Sequence, residues 1–495
     1  MDKSTPYQLN YQPLDLMEII LKNTSAIIAG KVVIVLLSLA SSVMLVRYLG
    51  SERLGHYSVL YAYLTLFSWL TTLGMEQILV RNAAQMKNEI KQIMETAVTL
   101  TAGLSVLAIA LAMLGSITLG YATGLRILLF IAAIDLLLLA PLRIPGIVFQ
   151  LHLKQWYGMG ISIGRQLLWI IILGALILLK AGLSGIILSR LLCSAAEALT
   201  TLFFSQRFVK FRWWHLNSIL ARKIIRDSWP LTLYVLAAAI YHRIDQVMLY
   251  RLVDARQLGY YAAAVNIVEL FSIFPVALMF TMLPILAKIV LEKERLDQYI
   301  SLSFRYLTIL AFGICTVVTL GSSTIIAFLY GRQYSPSAAV VSILIWSSFG
   351  VFLGVVINVV LLVKGLQKFI PLSASLGAVI NVVLNLLLIP KWGIIGAAWA
   401  TVISYSVIGA FAFLFIPATR SLAFKGIKIS VFPFFTALFC IIILSPFARP
   451  VSIALAPALY LIVLFILRAW KANDYHLIFD TILSIRTENN FKPTY

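Results

Sequence analysis

"VMLVRYLGSERLGHYS", Val43 to Ser58, and "VMLYRLVDARQLGYYA", Val247 to Ala262, are two versions of one segment. Val43, Met44, Leu45, Arg47, Leu54, Gly55 and Tyr57 match Val247, Met248, Leu249, Arg251, Leu258, Gly259 and Tyr261 without a gap. The matched Arg, Gly and Tyr lie outside the Leu/Val/Ile background that any two apolar segments share. A second echo joins "KAGLSG" (Lys180 to Gly185) to "KWGIIG" (Lys391 to Gly396). The chain carries an internal repeat, and what one unit contains decides the fold.

Composition gives the solvent. Of 495 residues, 61% are hydrophobic and 12% charged, and mean hydropathy is +0.97. A soluble protein of this length needs far more charge on its surface. Apolar runs long enough to cross a bilayer recur at 24–46, 57–80, 95–119, 126–150, 159–179, 184–206, 229–250, 258–286, 304–329, 338–363, 369–389, 394–417, 429–447 and 450–468. These fourteen spans are expected to be helices, because lipid leaves backbone groups no other partners and the runs show no strand-like alternation. Cys193, Cys315 and Cys440 lie far apart in apolar segments and read as inert thiols, with no metal spacing. The polar N-terminus, "MDKSTPYQLNYQPLDLMEII", does not resemble a cleaved signal peptide.

The net charge of +20 is distributed as the positive-inside rule requires, so nucleic acid is not an expected partner. Arg81, Lys87 and Lys91 follow span two, and Arg207, Lys210, Arg212, Arg222, Lys223 and Arg226 follow span six. Lys288, Lys293 and Arg295 follow span eight, and Arg420, Lys425 and Lys428 follow span twelve. Loops on the other side carry isolated cations: Arg126, Lys180, Arg332, Lys391 and Arg449. Both termini are therefore expected on the cytoplasmic side.

Spans one to six repeat as spans seven to twelve. Six is even, so both halves enter the membrane in the same orientation. That predicts an all-α polytopic membrane protein with two parallel six-helix lobes and a central site between them. The expected divisions are a cytoplasmic N-terminus (1–23), an N-lobe (24–206), a basic cytoplasmic linker (207–228), a C-lobe (229–417), two peripheral spans (418–470) and a cytoplasmic tail (471–495).

Three segments carry a family resemblance. "VRYLGSERLGHYSVLYAYLTLFSWLTTLGMEQILVRNAA", "YHRIDQVMLYRLVDARQLGYYAAAVNIVEL" and "AVINVVLNLLLIPKWGIIGAAWATVISY" resemble polysaccharide-unit flippases, the Wzx-type O-antigen transporters. These belong to the multidrug/oligosaccharidyl-lipid/polysaccharide superfamily, and the resemblance covers roughly residues 20 to 420. It implies a bacterial inner-membrane protein with a MATE-like architecture. Its cargo would be a polyprenyl-diphosphate-linked oligosaccharide, moved from the cytoplasmic to the periplasmic leaflet by rocking of the two lobes. Membrane lipid and polysaccharide polymerase machinery are the implied partners, with a proton or sodium ion as a coupling ion; no cofactor is expected.

A charge in mid-membrane is costly and faces a cavity or a partner. The N-lobe holds Lys31, Glu76, Asp135, Arg143, Arg165, Arg190 and Glu197, and the C-lobe Arg243, Asp245 and Glu269 beside His242. Lys31, Arg143, Arg165, Arg190 and Arg243 are candidates to bind a diphosphate or acidic sugars, with helix pairing as the other reading. Glu76, Asp135, Glu197, Asp245 and Glu269 are candidates for ion coupling or charge pairing. Counted at ~1.5 Å per residue, Arg165 and Glu197 both lie about 15 Å deep, and Arg243 and Glu269 about 12 and 18 Å deep from the opposite side. Each pair can meet across adjacent spans. Arg243 and Asp245, two apart, point in nearly opposite directions, whereas His242 and Asp245 can pair. Pro141 and Pro145 flank Arg143 and are expected to break or kink span four. Trp69, Tyr234, Tyr241 and Trp399 suit either sugar stacking or packing.

Two rivals remain. A multidrug–cation antiporter of the same superfamily is expected to favour acidic pocket residues, and the excess here is basic. A membrane glycan polymerase or glycosyltransferase is expected to show a large external loop or clustered carboxylates. Neither feature is present, nor a phosphate-cradling Gly-Lys-Ser loop, so the chain does not read as an enzyme.

Overall fold

The computed structural model describes residues 13–85, 89–210 and 215–467, apart from the side chains of 13–28, 84 and 139–142. Residues 1–12, Lys87, Arg212 and the expected tail at 471–495 lie outside the described residues. The described chain is helical throughout: α1 (Pro13–Thr72), α2 (Met75–Gln85), α3 (Ile90–Thr118), α4 (Thr123–Leu151), α5 (Trp156–Leu178), α6 (Leu183–Ser205), α7 (Ser218–Leu252), α8 (Ala255–Leu270), α9 (Ile273–Lys288), α10 (Lys293–Leu329), α11 (Pro336–Leu344), α12 (Ser347–Val363), α13 (Ile370–Ser406), α14 (Ala412–Leu414), α15 (Pro417–Leu444) and α16 (Arg449–Ile466).

Eleven helical runs are long and apolar enough to cross a membrane. Two of them contain two spans each, bent back at a glycine with positive φ: Gly50 (φ 69°) within α1 and Gly393 (φ 54°) within α13. L-residues rarely adopt that conformation, so glycine is what lets the chain reverse there. α7 supplies the remaining span; His242, Arg243 and Asp245 interrupt its apolar stretch. The result is a multi-pass membrane protein of about fourteen spans, with two six-helix lobes and two further helices. Large apolar side chains such as Leu111, Ile171, Leu178 and Ile442 stand exposed around it, as a lipid-facing surface requires.

Several boundaries differ from those expected. The second span ends at Thr72, where Leu73 and Gly74 both take positive φ, and α2 is a separate helix. The eighth span is divided into α8 and α9 at Phe271–Ser272, and the tenth into α11 and α12 at Ile345–Trp346. α7 begins at Ser218, so Arg222, Lys223 and Arg226 lie on a helix and not in a linker loop. Asn217 caps it, its side chain accepting from the Ile219 and Leu220 amides at 3.1 Å each. α15 likewise starts early enough to carry Arg420, Lys425 and Lys428, and Lys425 pairs with Asp297 of α10. The expected break at Pro141 and Pro145 is not formed: α4 is one helix of 29 residues. A proline removes one ladder bond, whereas unwinding in lipid strands more groups than that.

The repeat is visible as a reciprocal contact. Gly55 on α1 and Gly259 on α8 face each other's helices so closely that a methyl on Gly55 would overlap the Ala255 carbonyl, and one on Gly259 the Ser51 carbonyl. Ser51 and Ala255 occupy matching positions in the two repeats, so the contact is the same from either side. At this turn end of the molecule Arg47 also donates to the Leu329 and Phe328 carbonyls at 2.7 and 2.5 Å. Tyr334 donates to the Val46 carbonyl at 2.9 Å. A continuous apolar core including Leu54, Tyr57, Leu258, Tyr261, Tyr330 and Tyr334 surrounds these bonds. At the opposite, linker end the lobes touch again: Thr232 donates to the Leu73 carbonyl at 2.7 Å, and Met75 and Leu79 of α2 share a core with Leu220 and Ile224 of α7. α15 and α16 pack against α10, with Tyr460 donating to the Ile309 carbonyl at 3.0 Å.

Overpacking a tight interface costs ~1–3 kcal/mol. Gly55→Val should therefore open the turn end. With Thr65→Cys as a reporter in the cavity, labelling by an impermeant thiol reagent applied at that end should rise about tenfold. Unchanged labelling would show that this contact does not hold the end shut. The native thiols are all buried and should stay silent.

Candidate functional site

Between the two contact zones lie three adjoining cavities of about 650, 570 and 550 Å³ that meet at Arg143. The largest is bounded by the second half of α1, α2, α4, α6, α7 and α8. Helical spacing explains the lining. Tyr57, Tyr61, Thr65, Ser68 and Thr72 recur every three or four residues and form one stripe of α1. Asp135 and Arg143 are eight apart on α4, two turns along the same face, and Arg243 and Gln246 of α7 are three apart.

The structure divides the candidate cations into three kinds. Arg165 and Arg243 are paired. Arg165 Nε lies 3.1 Å from Glu197 Oε2, and Ser162 donates to the other Glu197 oxygen at 3.3 Å. Arg243 grips Glu269 with two nitrogens, at 3.1 and 3.4 Å. Both pairs are those allowed by depth counting. Arg143 and Arg190 also face the cavities, but among the described residues neither has a carboxylate within ion-pair distance. Arg190 is held by tyrosines: it donates to Tyr57 Oη at 2.5 Å, and its guanidinium carbon sits 4.0 Å from the Tyr61 ring centre. Such a bond and a cation–π contact fix the side chain and leave its charge in place. Lys31 stands apart, exposed on α1 with its ammonium 5.8 Å from the Phe280 ring, and lines none of the three cavities.

The acids divide as well. Glu76, on the first turn of α2, and Asp135 both line the main cavity, and Asp135 Oδ1 is buried without a hydrogen-bond partner. Asp245 points the other way and is 3% exposed. It accepts from Tyr261 Oη at 2.5 Å, from the Gln246 amide at 2.7 Å and from Thr401 at 3.4 Å. The His242–Asp245 pair that helical spacing allows is not formed; His242 Nδ1 instead meets Tyr405 Oη at 2.8 Å. Asp245 is turned toward α8 and α13, where a tyrosine and a threonine satisfy it better than a histidine on its own helix.

Of the aromatic candidates, Tyr234 lines the main cavity, and Tyr241 packs edge-on against Tyr405. Trp399 is exposed, and neither it nor Trp69 lines the three cavities. Sequence reading passed over the uncharged polar lining, Gln77, Gln246 and Asn266, and the tyrosine clamp on Arg190. Tyr57 carried a signal in its match to Tyr261, but that match reads as scaffold.

These environments separate stability from function. Asp245→Ala removes the short-bond acceptor of the buried Tyr261 hydroxyl, leaving it only Thr401 at 3.2 Å, and should destabilise the protein by ~1–3 kcal/mol. Glu269→Gln removes a partly exposed pair, of the kind worth ~0–1 kcal/mol, and should leave unfolding almost unchanged. Thermal unfolding in detergent distinguishes them; equal losses would contradict the assignment of Asp245 to the frame and of Glu269 to a partly exposed pair.

A family model described as "Polysaccharide biosynthesis protein" matches residues 20–290. No curated protein matches the chain in sequence. Among solved structures, the fold is similar to "Lipid II flippase MurJ, inward closed conformation", with a TM-score of 0.73 and 15% identity over 89% of this chain and 98% of that one. An inward-facing multidrug resistance MATE family transporter of the MOP superfamily follows, with a TM-score of 0.62 and 14% identity over 79% of this chain and 96% of that one. An outward-facing MATE transporter gives 0.55 and 16% over 84% and 99%. At such identities the structures speak for the fold, whereas the family match spans more than half of the sequence. The chain belongs to the polysaccharide biosynthesis protein family, built on the MurJ/MATE fold.

Proposed function

We propose that the protein is a flippase for polyprenyl-diphosphate-linked oligosaccharides, of the kind used for O-antigen or similar surface-polysaccharide repeat units. The observation that carries this reading is the pair Arg143 and Arg190, two cavity-facing arginines without a carboxylate partner among the described residues. A diphosphate offers the bidentate acceptors that guanidinium groups match. The uncharged lining, Gln77, Gln246, Asn266, Ser68 and Tyr234, suits sugar hydroxyls. The family description and a structural neighbour named as a lipid II flippase support a lipid-linked cargo.

In this mechanism the lobes alternate between the contact zone at the turn end and that at the linker end. The positive-inside pattern of the loop charges supports a cytoplasmic linker end, with cargo entering there and leaving into the periplasmic leaflet of a bacterial inner membrane. Lys31, on the outer face, is a secondary candidate for the approaching diphosphate. Asp135 and Glu76 are the cavity acids available to a coupling proton or sodium ion, and a polysaccharide polymerase would receive the product. The unpartnered Asp135 oxygen is also what favours the second reading, export of organic cations.

Reconstitution in liposomes decides between them. Losing one charge-assisted contact costs ~1.5–3 kcal/mol. Arg143→Gln and Arg190→Gln should each slow translocation of a polyprenyl-diphosphate glycan about tenfold or more. Equal rates for both variants and the parent, or export of a cationic dye without glycan movement, would refute the proposal.

A further inference from the structure

The Arg165–Glu197 pair has a cavity on each side. Inward is the 550 Å³ chamber lined by Asp135, Arg143 and Arg190. Outward is a groove, also of about 550 Å³, between α5 and α6 on the exposed face. Ile161, Arg165 and Glu197 line both. The partition between a charged chamber and the lipid-facing surface is therefore a single layer formed by these three side chains. Two of them form an ion pair at 3.1 Å that keeps 28% and 22% of its side-chain surface accessible. A pair that serves only to join helices would be sealed between them; this one is open on both flanks, and pairs so exposed hold little energy against opening.

The groove itself is apolar and roomy. Gly160 and Gly164 form its floor on α5, with no atom within 4 Å of where a Cβ would stand, and Leu168 and Phe204 stand at its sides. Its linker end opens among aromatic and basic side chains, the arrangement that sits at the level of lipid headgroups. Trp156 stacks on Tyr157 at 3.9 Å between centroids, and the Arg207 guanidinium lies 4.8 Å from both the Phe203 and Phe204 rings.

We propose that the α5–α6 groove is a lateral port that holds the prenyl chain of a prenyl-diphosphate-linked cargo. The chain's first isoprene units lie on Gly160 and Gly164, in contact with the bilayer. The diphosphate crosses the Arg165–Glu197 partition to Arg143 and Arg190. One continuous path thus serves both ends of an amphiphile: apolar outside the pair, cationic inside it. A long prenyl chain never leaves lipid, and the hydrophobic cost of drawing it into a polar cavity is avoided. Arg165 is the hinge of this arrangement, since a diphosphate passing it offers the guanidinium a second anionic partner in place of Glu197. The port rests on the flippase reading for its cargo, but prenyl-chain binding is measurable without any translocation.

The test uses the full-length protein in phosphatidylglycerol-containing vesicles with a farnesyl-type diphosphate bearing a diazirine on its chain. After irradiation, adducts should map to Trp156–Leu168 and Ala196–Phe204. They should be suppressed by unlabelled prenyl diphosphate, though not by additional phosphatidylglycerol. Gly160→Phe and Gly164→Phe fill open space and should fold normally by thermal unfolding, yet cut groove labelling about tenfold. Leu114→Phe, on the exposed face of α3, should leave it unchanged. Adducts that map elsewhere, that persist in the filled grooves, that phosphatidylglycerol competes equally well, or that fail to form would each overturn the port. Groove labelling by a protein that translocates no glycan would sink the flippase reading and leave the port; translocation with an unlabelled groove would do the reverse.

Discussion

Two backbones touching at Gly55 and Gly259 set the distance between the lobes, and the cavity is measured from that contact. In lipid, helices gain nothing from burying apolar side chains against one another that the acyl chains would not also supply. Close backbone approach and hydrogen bonding carry association instead. The turn end follows this rule closely: small residues meet at the crossing, and Arg47 and Tyr334 spend their polar atoms on carbonyls of the opposite partner helix. Stripes of α1 and α8 are thereby fixed facing each other, and the polar positions below the crossing have a chamber to line.

Around the chamber, the cost of charge in a membrane sorts the residues. Arg165 and Arg243 are neutralised by glutamates on neighbouring helices, Asp245 is wrapped in hydroxyls and a backbone amide, and Arg143 and Arg190 stay uncompensated by carboxylates among the described residues. Paired charges hold helices in register at little net gain. Unpaired ones keep a field available to something that enters, and the cavity is where such a field has use.

Much of this is legible in the chain itself. The gap-free match at Arg47, Gly55 and Tyr57 locates the repeat, and depth counted along helices brings Arg165 to Glu197 and Arg243 to Glu269. What counting cannot supply is rotation about the helix axis. A membrane helix is apolar on its packed side and on its lipid side alike, so pattern does not distinguish them. Lys31 looks like a cavity residue from its place within a span, but rotation leaves it exposed beside Phe280 and outside the three cavities. The divisions at Phe271–Ser272 and Ile345–Trp346 carry no glycine or proline at the break, and α7 begins with no signal except Asn217, a capping residue inside a basic stretch.

Tyr57 and Tyr261, matched in the repeat, hold opposite charges: one receives a bond from Arg190, the other gives one to Asp245. A phenol can do either because its oxygen accepts while its hydrogen donates. The same residue at the same place is thus indifferent to the sign of its neighbour. A duplicated scaffold that kept its tyrosines was free to diverge in electrostatics, one half toward a cation and the other toward an anion, without altering the groups that hold them. The phenols are constants of the frame, and the charges are the part that could be rewritten.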